Sequence, residues 1–291
     1  MDVTRCASPL EFLDATSAYR GAEPLRTNVL GSVASGVASG SRRYDAYFWW
    51  VVFDGHDEVV GAAMRTPPFG LSIGPMVDDA AAALARVVAQ ADDGLPSIGG
   101  PRGAVLAFLG AYAATGSPGS ARRVGAGRRD VLYALDELVV PDVDGAPLGA
   151  GIDDARLAEA WLSAFTEEVE RAPYEMTHAD RDALHDSLTR GRWRWWCRDG
   201  SPVAMAGHAI PVEAATGMVT RVGPVYTPPS ERRHGYGAAI TAEVTRLLLD
   251  GGSKVMLFAD ADNPTSNGVY RSLGYVVVDE FVRRTIDAAP R

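Results

Sequence analysis

The sequence predicts an α+β fold, with two similar domains in tandem, each a mixed, mostly antiparallel sheet flanked by helices. The first observation is that both halves follow one order of elements: helix, three strands, helix, strand, helix, strand. The second is that residues 141–154 are rich in Pro, Gly and Asp, which is typical of a linker. We therefore expect domains over residues 1–145 and 150–291. A single domain of this kind behind an unrelated first domain is the alternative.

In the first half, two β-rich runs are joined by Asp54-Gly55-His56-Asp57, which indicates a hairpin. Residues 31–40 consist mostly of Gly, Ser, Ala and Val, and they predict a flexible loop or a helix of small residues. Without a lysine and a preceding strand, they do not predict a phosphate loop. The predicted strands are 47–53, 58–65, 69–76 and 130–140, with a short apolar segment at 96–98, and the predicted helices are 78–91 and 102–114.

The second half repeats this order. In its first strand, Trp193 and Trp195 alternate with Arg194 and Trp196, so the first pair is expected in the core. The predicted helices are 155–171, 178–189, 236–250 and 264–273. The predicted strands are 192–198, 202–212, 217–226, 254–259 and 275–284.

Composition excludes several classes of protein. The 291 residues include 28 basic and 37 acidic side chains, giving a net charge of −9 without a strong basic cluster, so we expect no nucleic-acid partner. No apolar run approaches bilayer-spanning length and no leader opens the chain, so we expect a cytoplasmic protein without a membrane partner. Two cysteines imply no disulfide framework, and we expect no metal. The oligomeric state is left open.

A glycine-rich turn in the second half predicts an anion site. The strand ending at Tyr226 is followed by a proline-rich turn and then by Arg232-x-x-Gly235-x-Gly237, which opens the helix over 236–250. The first backbone N–H groups of a helix lack intrahelical acceptors, and the helix dipole is positive there. Glycines without Cβ atoms let a diphosphate approach that backbone closely.

A second pattern follows the next strand. Asn263 suits a helix N-cap, Pro264 the first helical turn and Gly274 the position after the helix. The second motif consists of residues at set positions in and around this helix: Asn263, Ser266, Tyr270, Gly274 and Tyr275.

Together these two motifs, in this order, resemble those of the GNAT superfamily of N-acetyltransferases. The resemblance implies transfer of an acetyl group from acetyl-CoA to an amine of a small molecule or peptide, by direct attack on the thioester. It assigns Tyr270 to the sulfur of CoA, as the acid that protonates the leaving thiolate. It assigns the CoA site to Val225, Tyr226, Thr227, Arg232, Arg233, His234, Gly235, Tyr236, Gly237, Ala238, Asn263 and Tyr270. Backbone N–H groups at 225–227 also suit the developing oxyanion.

The first half lacks this chemistry. After its third strand, Asp78 and Asp79 stand where a helix N-terminus would meet a diphosphate, and carboxylates there repel an anion. We therefore expect one CoA site per chain, in the second half. We expect the first half to pack against the second and to form one wall of the acceptor pocket.

Two questions stay open at this point. Glu168, Glu213, His208 and Asp260 are candidate general bases by residue type, and none is assigned. The alternative functions are a CoA-binding regulatory protein without transfer activity and an acyltransferase that uses a longer acyl donor.

Overall fold

A computed structural model describes residues 1–91, 94–115 and 123–287. In this part of the chain there are thirteen strands and nine α-helices. The strands are β1 (Asp2–Cys6), β2 (Phe48–Phe53), β3 (Val59–Arg65), β4 (Leu71–Ile73), β5 (Ser97–Pro101), β6 (Arg123–Leu135), β7 (Ala146–Ala150), β8 (Trp193–Arg198), β9 (Ser201–His208), β10 (Val212–Ala214), β11 (Gly217–Tyr226), β12 (Ser253–Asp260) and β13 (Tyr275–Asp287). The helices are α1 (Pro9–Ala15), α2 (Ser17–Ala22), α3 (Asn28–Ala38), α4 (Asp78–Ala91), α5 (Arg102–Ala114), α6 (Ala155–Glu170), α7 (His178–Thr189), α8 (Tyr236–Asp250) and α9 (Pro264–Ser272).

The α+β fold class is confirmed, and most predicted elements are found where the sequence patterns place them. Helices α4, α5, α7 and α8 have the predicted bounds. Helix α8 buries Ile240 and Val244, which are four residues apart on one face. Trp193 and Trp195 are buried on one side of β8, as the alternation predicts, and Trp195 packs edge-on against Trp161 of α6.

Residues 31–40 belong largely to helix α3, as the second of the two predicted alternatives has it, and its small residues permit close packing: a Cβ on Gly31 would lie 2.8 Å from Val212 Cγ1. Two features differ from the sequence-based expectation. Strand β6 spans Arg123–Leu135, whereas the strand was predicted over 130–140. The predicted linker contains strand β7, which pairs with β8 from Ala146↔Cys197 to Ala150↔Trp193. The sequence Ala-Pro-Leu-Gly-Ala has little intrinsic strand preference, so pairing with β8 decides its structure.

All strands join one sheet, in the order β1-β2-β3-β4-β5-β13-β6-β12-β11-β9-β8-β7, with β10 paired to β11. Neighbours are antiparallel except β4–β5 and β11–β12, which are parallel. Helices α4 and α5 pack on one face with β2 to β5, and α8 packs on the same face farther along, with β9, β11 and β12. The other face carries α1 and α3 on the first half and α6 and α7 on the second.

At the centre of the sheet the two halves exchange their last strands. Strand β6 of the first half lies between β12 and β13 of the second, and β13 lies between β5 and β6 of the first. The β6–β13 register runs from Leu135↔Tyr275 to Arg123↔Asp287. Each half therefore completes its sheet with backbone hydrogen bonds from the other, and the halves form one structural unit.

We expect that residues 146–291 expressed alone will not unfold as a cooperative, monomeric unit. Removing β6 leaves the facing edges of β12 and β13 without the strand that pairs with both, and unpaired edges promote association. Chemical denaturation followed by tryptophan fluorescence and by sedimentation measures this.

The matched control co-expresses residues 1–145 with residues 146–291, which restores every strand pair while cutting only the connection. A co-purifying, cooperatively folded pair is the expected result. Cooperative unfolding of the second fragment as a monomer would contradict the strand exchange.

Candidate functional site

The parallel pair β11–β12 opens before either strand ends. Their register runs from Met218↔Ser253 to Val222↔Leu257 and stops there, although β12 continues to Asp260. Beyond this point β11 pairs only with β9, at Val225↔Ala206 and Tyr226↔Met205, after a register shift. The edge of β11 at Val225 and Tyr226 thus faces a gap between the two strands.

The turn after β11 leads into α8, whose first turn has no side-chain cap. Gly235 is the N-cap residue, its φ is 82°, and no side chain caps this helix start. The first backbone hydrogen bond of the helix is donated by Ala239 N–H to Gly235 O, at 3.0 Å. The N–H groups of residues 236–238 lie before this bond. A Cβ on Gly237 would lie 3.2 Å from Thr227 Oγ1. The geometry therefore fits an anion held close to this backbone.

Side chains around the turn have several partners. Arg232 donates to both carboxylate oxygens of Glu168, at 2.6 and 2.8 Å, and to Thr227 O at 2.9 Å. Tyr236 is 3 % exposed and its hydroxyl accepts from Arg198 at 3.0 Å, so its side chain is held inside the protein. His234 stacks on the Tyr236 ring, with centroids 5.5 Å apart.

The end of α6 lies across the mouth of the gap through three ion pairs. Besides Glu168–Arg232, Glu170 binds Arg283 of β13 at 2.7 Å, and Arg171 lies 3.5 Å from Asp260 at the end of β12. The side chains of Glu168 and Arg232 are 48 % and 43 % exposed. An exposed pair of this kind contributes about 0–1 kcal/mol, so it is weak enough for a doubly charged ligand to displace.

Helix α9 is fixed at its start by two asparagines. Asn263 Oδ1 caps it by accepting from Ser266 N at 3.1 Å, as the sequence predicts. Asn267, which the sequence analysis missed, is buried and donates to the backbone oxygens of Asp260 and Asn263. Its Oδ1 accepts from Tyr133 Oη at 2.8 Å, so a residue of β6 in the first half anchors this helix.

Tyr270 lies between two other tyrosines. Its ring centroid is 6.2 Å from that of Tyr133 and 6.2 Å from that of Tyr275. Burial raises the pKa of Tyr270 to about 12, so the hydroxyl keeps its proton at neutral pH. In the described ranges, this hydroxyl makes no hydrogen bond to the protein, whereas that of Tyr275 bonds Thr245 Oγ1 at 2.6 Å. Tyr133 was not among the predicted site residues, and the apolar pattern of its strand is the only local signal for it.

The candidate bases are dispersed. Asp260 stands at the end of β12, where its register partner is Asp130 of β6, and Glu168 is bound to Arg232. Burial lowers the pKa of His208, whose Nδ1 lies 2.9 Å from Ala209 O. Glu213 is an exposed residue of β10, paired with Met218 at the start of β11. The gap therefore has Asp260 and Glu168 at its mouth. His208 lies on the other side of β11, opposite Val222 where the gap opens, and Glu213 lies at the far end of β11.

The corresponding region of the first half is closed. Tyr19 Oη donates to Pro75 O at 2.6 Å, and a Cβ on Gly74 would lie 2.3 Å from that hydroxyl. Strands β4 and β5 stay in contact at their ends, where a Cβ on Gly100 would lie 2.5 Å from Ile73 O. Helix α4 begins with Asp78 and Asp79. In the described residues of this half, β4 and β5 thus stay together and the corresponding helix start carries two carboxylates.

Known proteins share this architecture. The model of the FR47-like protein family matches residues 204–284, which contain the gap, the turn, α8 and α9. A tandem GNAT protein from the clavulanic acid biosynthesis pathway superposes with a TM-score of 0.57 at 12% identity, covering 100% of this chain and 99% of that one. The chain has the tandem GNAT fold.

Further GNAT structures agree. A GCN5-related N-acetyltransferase from Sphaerobacter thermophilus gives a TM-score of 0.60 at 15% identity, covering 99% of this chain and 96% of that one. One from Kribbella flavida gives 0.56 at 20% identity, covering 91% and 95%. No curated protein sequence matches this chain. The GNAT resemblance predicted from the two motifs is confirmed.

None of the helices in the described ranges is long and apolar enough to cross a membrane.

Proposed function

We propose that this GNAT protein is an N-acetyltransferase, which transfers the acetyl group of acetyl-CoA to an amine of a small molecule or peptide. The observation that carries the proposal is the combination of an open β11–β12 pair with an uncapped, glycine-lined start of α8. The open strand edge suits an amide-containing arm, and the helix start suits a diphosphate.

The CoA site proposed for this chain follows the turn. The backbone N–H groups of residues 236–238 and the Cβ-free surface of Gly235 and Gly237 receive the diphosphate. Arg232 and Arg233 add charge-assisted hydrogen bonds once Arg232 is released from Glu168. Val225, Tyr226 and Thr227 provide the strand edge, and Asn263 stands at the start of α9 near the same gap.

Transfer requires a held thioester, a neutral amine and a proton for the thiolate. The amine nitrogen forms a bond to the acetyl carbon, the carbon–sulfur bond breaks, the sulfur takes a proton, and the nitrogen releases one proton to water. Tyr270 is the proposed donor, because its hydroxyl is protonated at neutral pH and has no partner in the described residues. Backbone N–H groups of β11 beside the gap are the proposed oxyanion donors. We assign no general base.

We expect acetyl-CoA to bind with one equivalent per chain. The second half has the open gap, whereas Tyr19, Asp78 and Asp79 close the equivalent region of the first. Isothermal titration calorimetry on the full chain measures the stoichiometry, and release of free thiol with a broad amine panel measures transfer. Two equal sites would contradict the assignment to one half. One site without transfer to any amine would favour a regulatory CoA-binding protein.

A further inference from the structure

The face of β11 turned away from α8 carries an arginine at the interface between the halves. Val222 packs with α8, whereas Val219 packs with Met256, Leu132 and Phe281 on the opposite face. Because side chains alternate along a strand, Arg221 shares the face of Val219. Helix α3 of the first half covers this face: Asn28 donates Nδ2–H to Val219 O at 3.3 Å, and its Oδ1 accepts from Arg221 Nη1 at 3.1 Å.

Arg221 has no carboxylate within ion-pair distance among the described residues, and the hydrogen bond to Asn28 is the only one its guanidinium makes there. Burial and, to a smaller extent, repulsion from Arg42 lower the pKa of Arg221 to about 10, so the group is still charged at neutral pH. A partly buried charge without a counterion is unfavourable for folding. The charge of Arg221 therefore reduces the stability of the folded state, and no ion pair among the described residues compensates for it.

Two other guanidinium groups act in the same electrostatic field. Repulsion from Arg42, in the connection after α3, contributes to lowering the pKa of both Arg221 and Arg192. It donates to Tyr44 Oη at 3.4 Å and forms no ion pair within the described ranges. Arg192 is paired with Asp186 at 2.9 Å, and Arg190 shares that carboxylate. The set Arg42, Arg192 and Arg221, which we name the arginine cluster, therefore has a surplus of positive charge.

Arg20 shows, by contrast, how an arginine with a structural role is bound in this protein. Arg20 is 7 % exposed and donates to Thr16 Oγ1 at 2.9 Å and to Leu13 O at 2.7 Å, so its guanidinium is bound by local acceptors. The guanidinium of Arg221 is bound by a single acceptor among the described residues, the amide oxygen of Asn28, and the side chain is partly exposed. Its remaining N–H groups are available to a ligand.

The position of Arg221 relates it to the proposed reaction. It stands one residue before Val222, the last residue of β11 that pairs with β12, and a strand rises about 3.3 Å per residue. A small molecule bound by the free N–H groups of Arg221, beside α3, can therefore reach the gap.

We propose that the arginine cluster, chiefly through Arg221, binds an anionic group, a carboxylate or a phosphate, on the amine that accepts the acetyl group. This inference rests on the proposed acetyl transfer and names the chemical class of its acceptor. Guanidinium groups bind both oxyanions through paired hydrogen bonds, and Asn28 holds one edge of Arg221 while leaving others free.

The first test measures anion binding without any acceptor. Inorganic phosphate and succinate are titrated separately, by calorimetry, into protein saturated with CoA so that the α8 site is filled. We expect Arg221→Met and Arg42→Met to weaken binding of the preferred anion roughly tenfold to hundredfold, and Arg221→Lys to weaken it less. The matched control is Arg246→Met, which removes an exposed arginine of α8 paired with Glu243 and Asp250.

The two anions distinguish a phosphate-bearing from a carboxylate-bearing acceptor. Binding of neither anion, or equal binding by wild type and Arg221→Met, would overturn the proposal. Acetyl-CoA titration of the same variants is independent of this result, so loss of the proposed function itself is recognised separately.

Thermal unfolding provides a readout that a scaffolding role would not give. If Arg221 is held for a ligand, Arg221→Met removes an uncompensated charge, and its Tm in anion-free buffer equals or exceeds that of wild type. Phosphate or succinate then raises the Tm of wild type and of Arg246→Met but not that of Arg221→Met. A lower Tm for Arg221→Met without anion, together with an unchanged response to both anions, would show that Arg221 only supports the interface.

Discussion

Gly237→Asp should abolish measurable binding of acetyl-CoA. The new carboxylate would stand in the first turn of α8, next to Thr227 Oγ1, where the proposed diphosphate meets the backbone N–H groups. Several charge-assisted hydrogen bonds of roughly 1.5–3 kcal/mol each would be lost, so the affinity falls by more than about a hundredfold. Calorimetric titration measures the change, with circular dichroism to show that α8 is intact.

Two variants separate charge from folding. Gly103→Asp places the same residue at the same position of another helix, the second residue of α5, where a Cβ meets no atom within 4 Å, and should leave binding unchanged. Gly237→Asn adds nearly the same volume without the charge and should weaken binding less than Gly237→Asp. If Gly237→Asp binds acetyl-CoA as wild type does, the diphosphate does not lie at this helix start.

Tyr270→Phe should lower turnover by about 10²–10⁴-fold while changing acetyl-CoA affinity little. The substitution removes only the hydroxyl that we propose as proton donor, and the proposed diphosphate contacts lie in the turn before α8. In the free protein this hydroxyl has no partner among the described residues, so stability should also change little. Steady-state kinetics with the best acceptor of the amine panel measures the effect on turnover.

Tyr275→Phe is the matched control, because its ring lies 6.2 Å from that of Tyr270 but its hydroxyl bonds Thr245. It should reduce the free energy of unfolding by about 1 kcal/mol and leave turnover unchanged. Tyr270→Phe is thus expected to lower turnover with little change in stability, and Tyr275→Phe to lower stability with no change in turnover. Equal turnover of Tyr270→Phe and wild type would mean that Tyr270 only packs between its neighbours.

Local sequence signals predicted most of the elements that form the site. The glycines at 235 and 237 and the Asn263-Pro264 pair mark the starts of α8 and α9, and the structure has both helices there. Apolar spacing predicted which face of α8 is buried. These features depend on residues within one or two turns of each other, so periodicity and capping are sufficient to find them.

What the sequence by itself determined is therefore the order of elements apart from the strands β1 and β7, the fold class and the position of the one intact motif pair. The tertiary structure alone decided that β6 and β13 cross between the halves, that Tyr133 of the first half supports Asn267 and Tyr270, and that Arg221 meets Asn28. The physical reason is that a strand's backbone hydrogen bonds are the same with any antiparallel neighbour. Which half supplies that neighbour is set by packing over the whole sheet, and no local pattern records it.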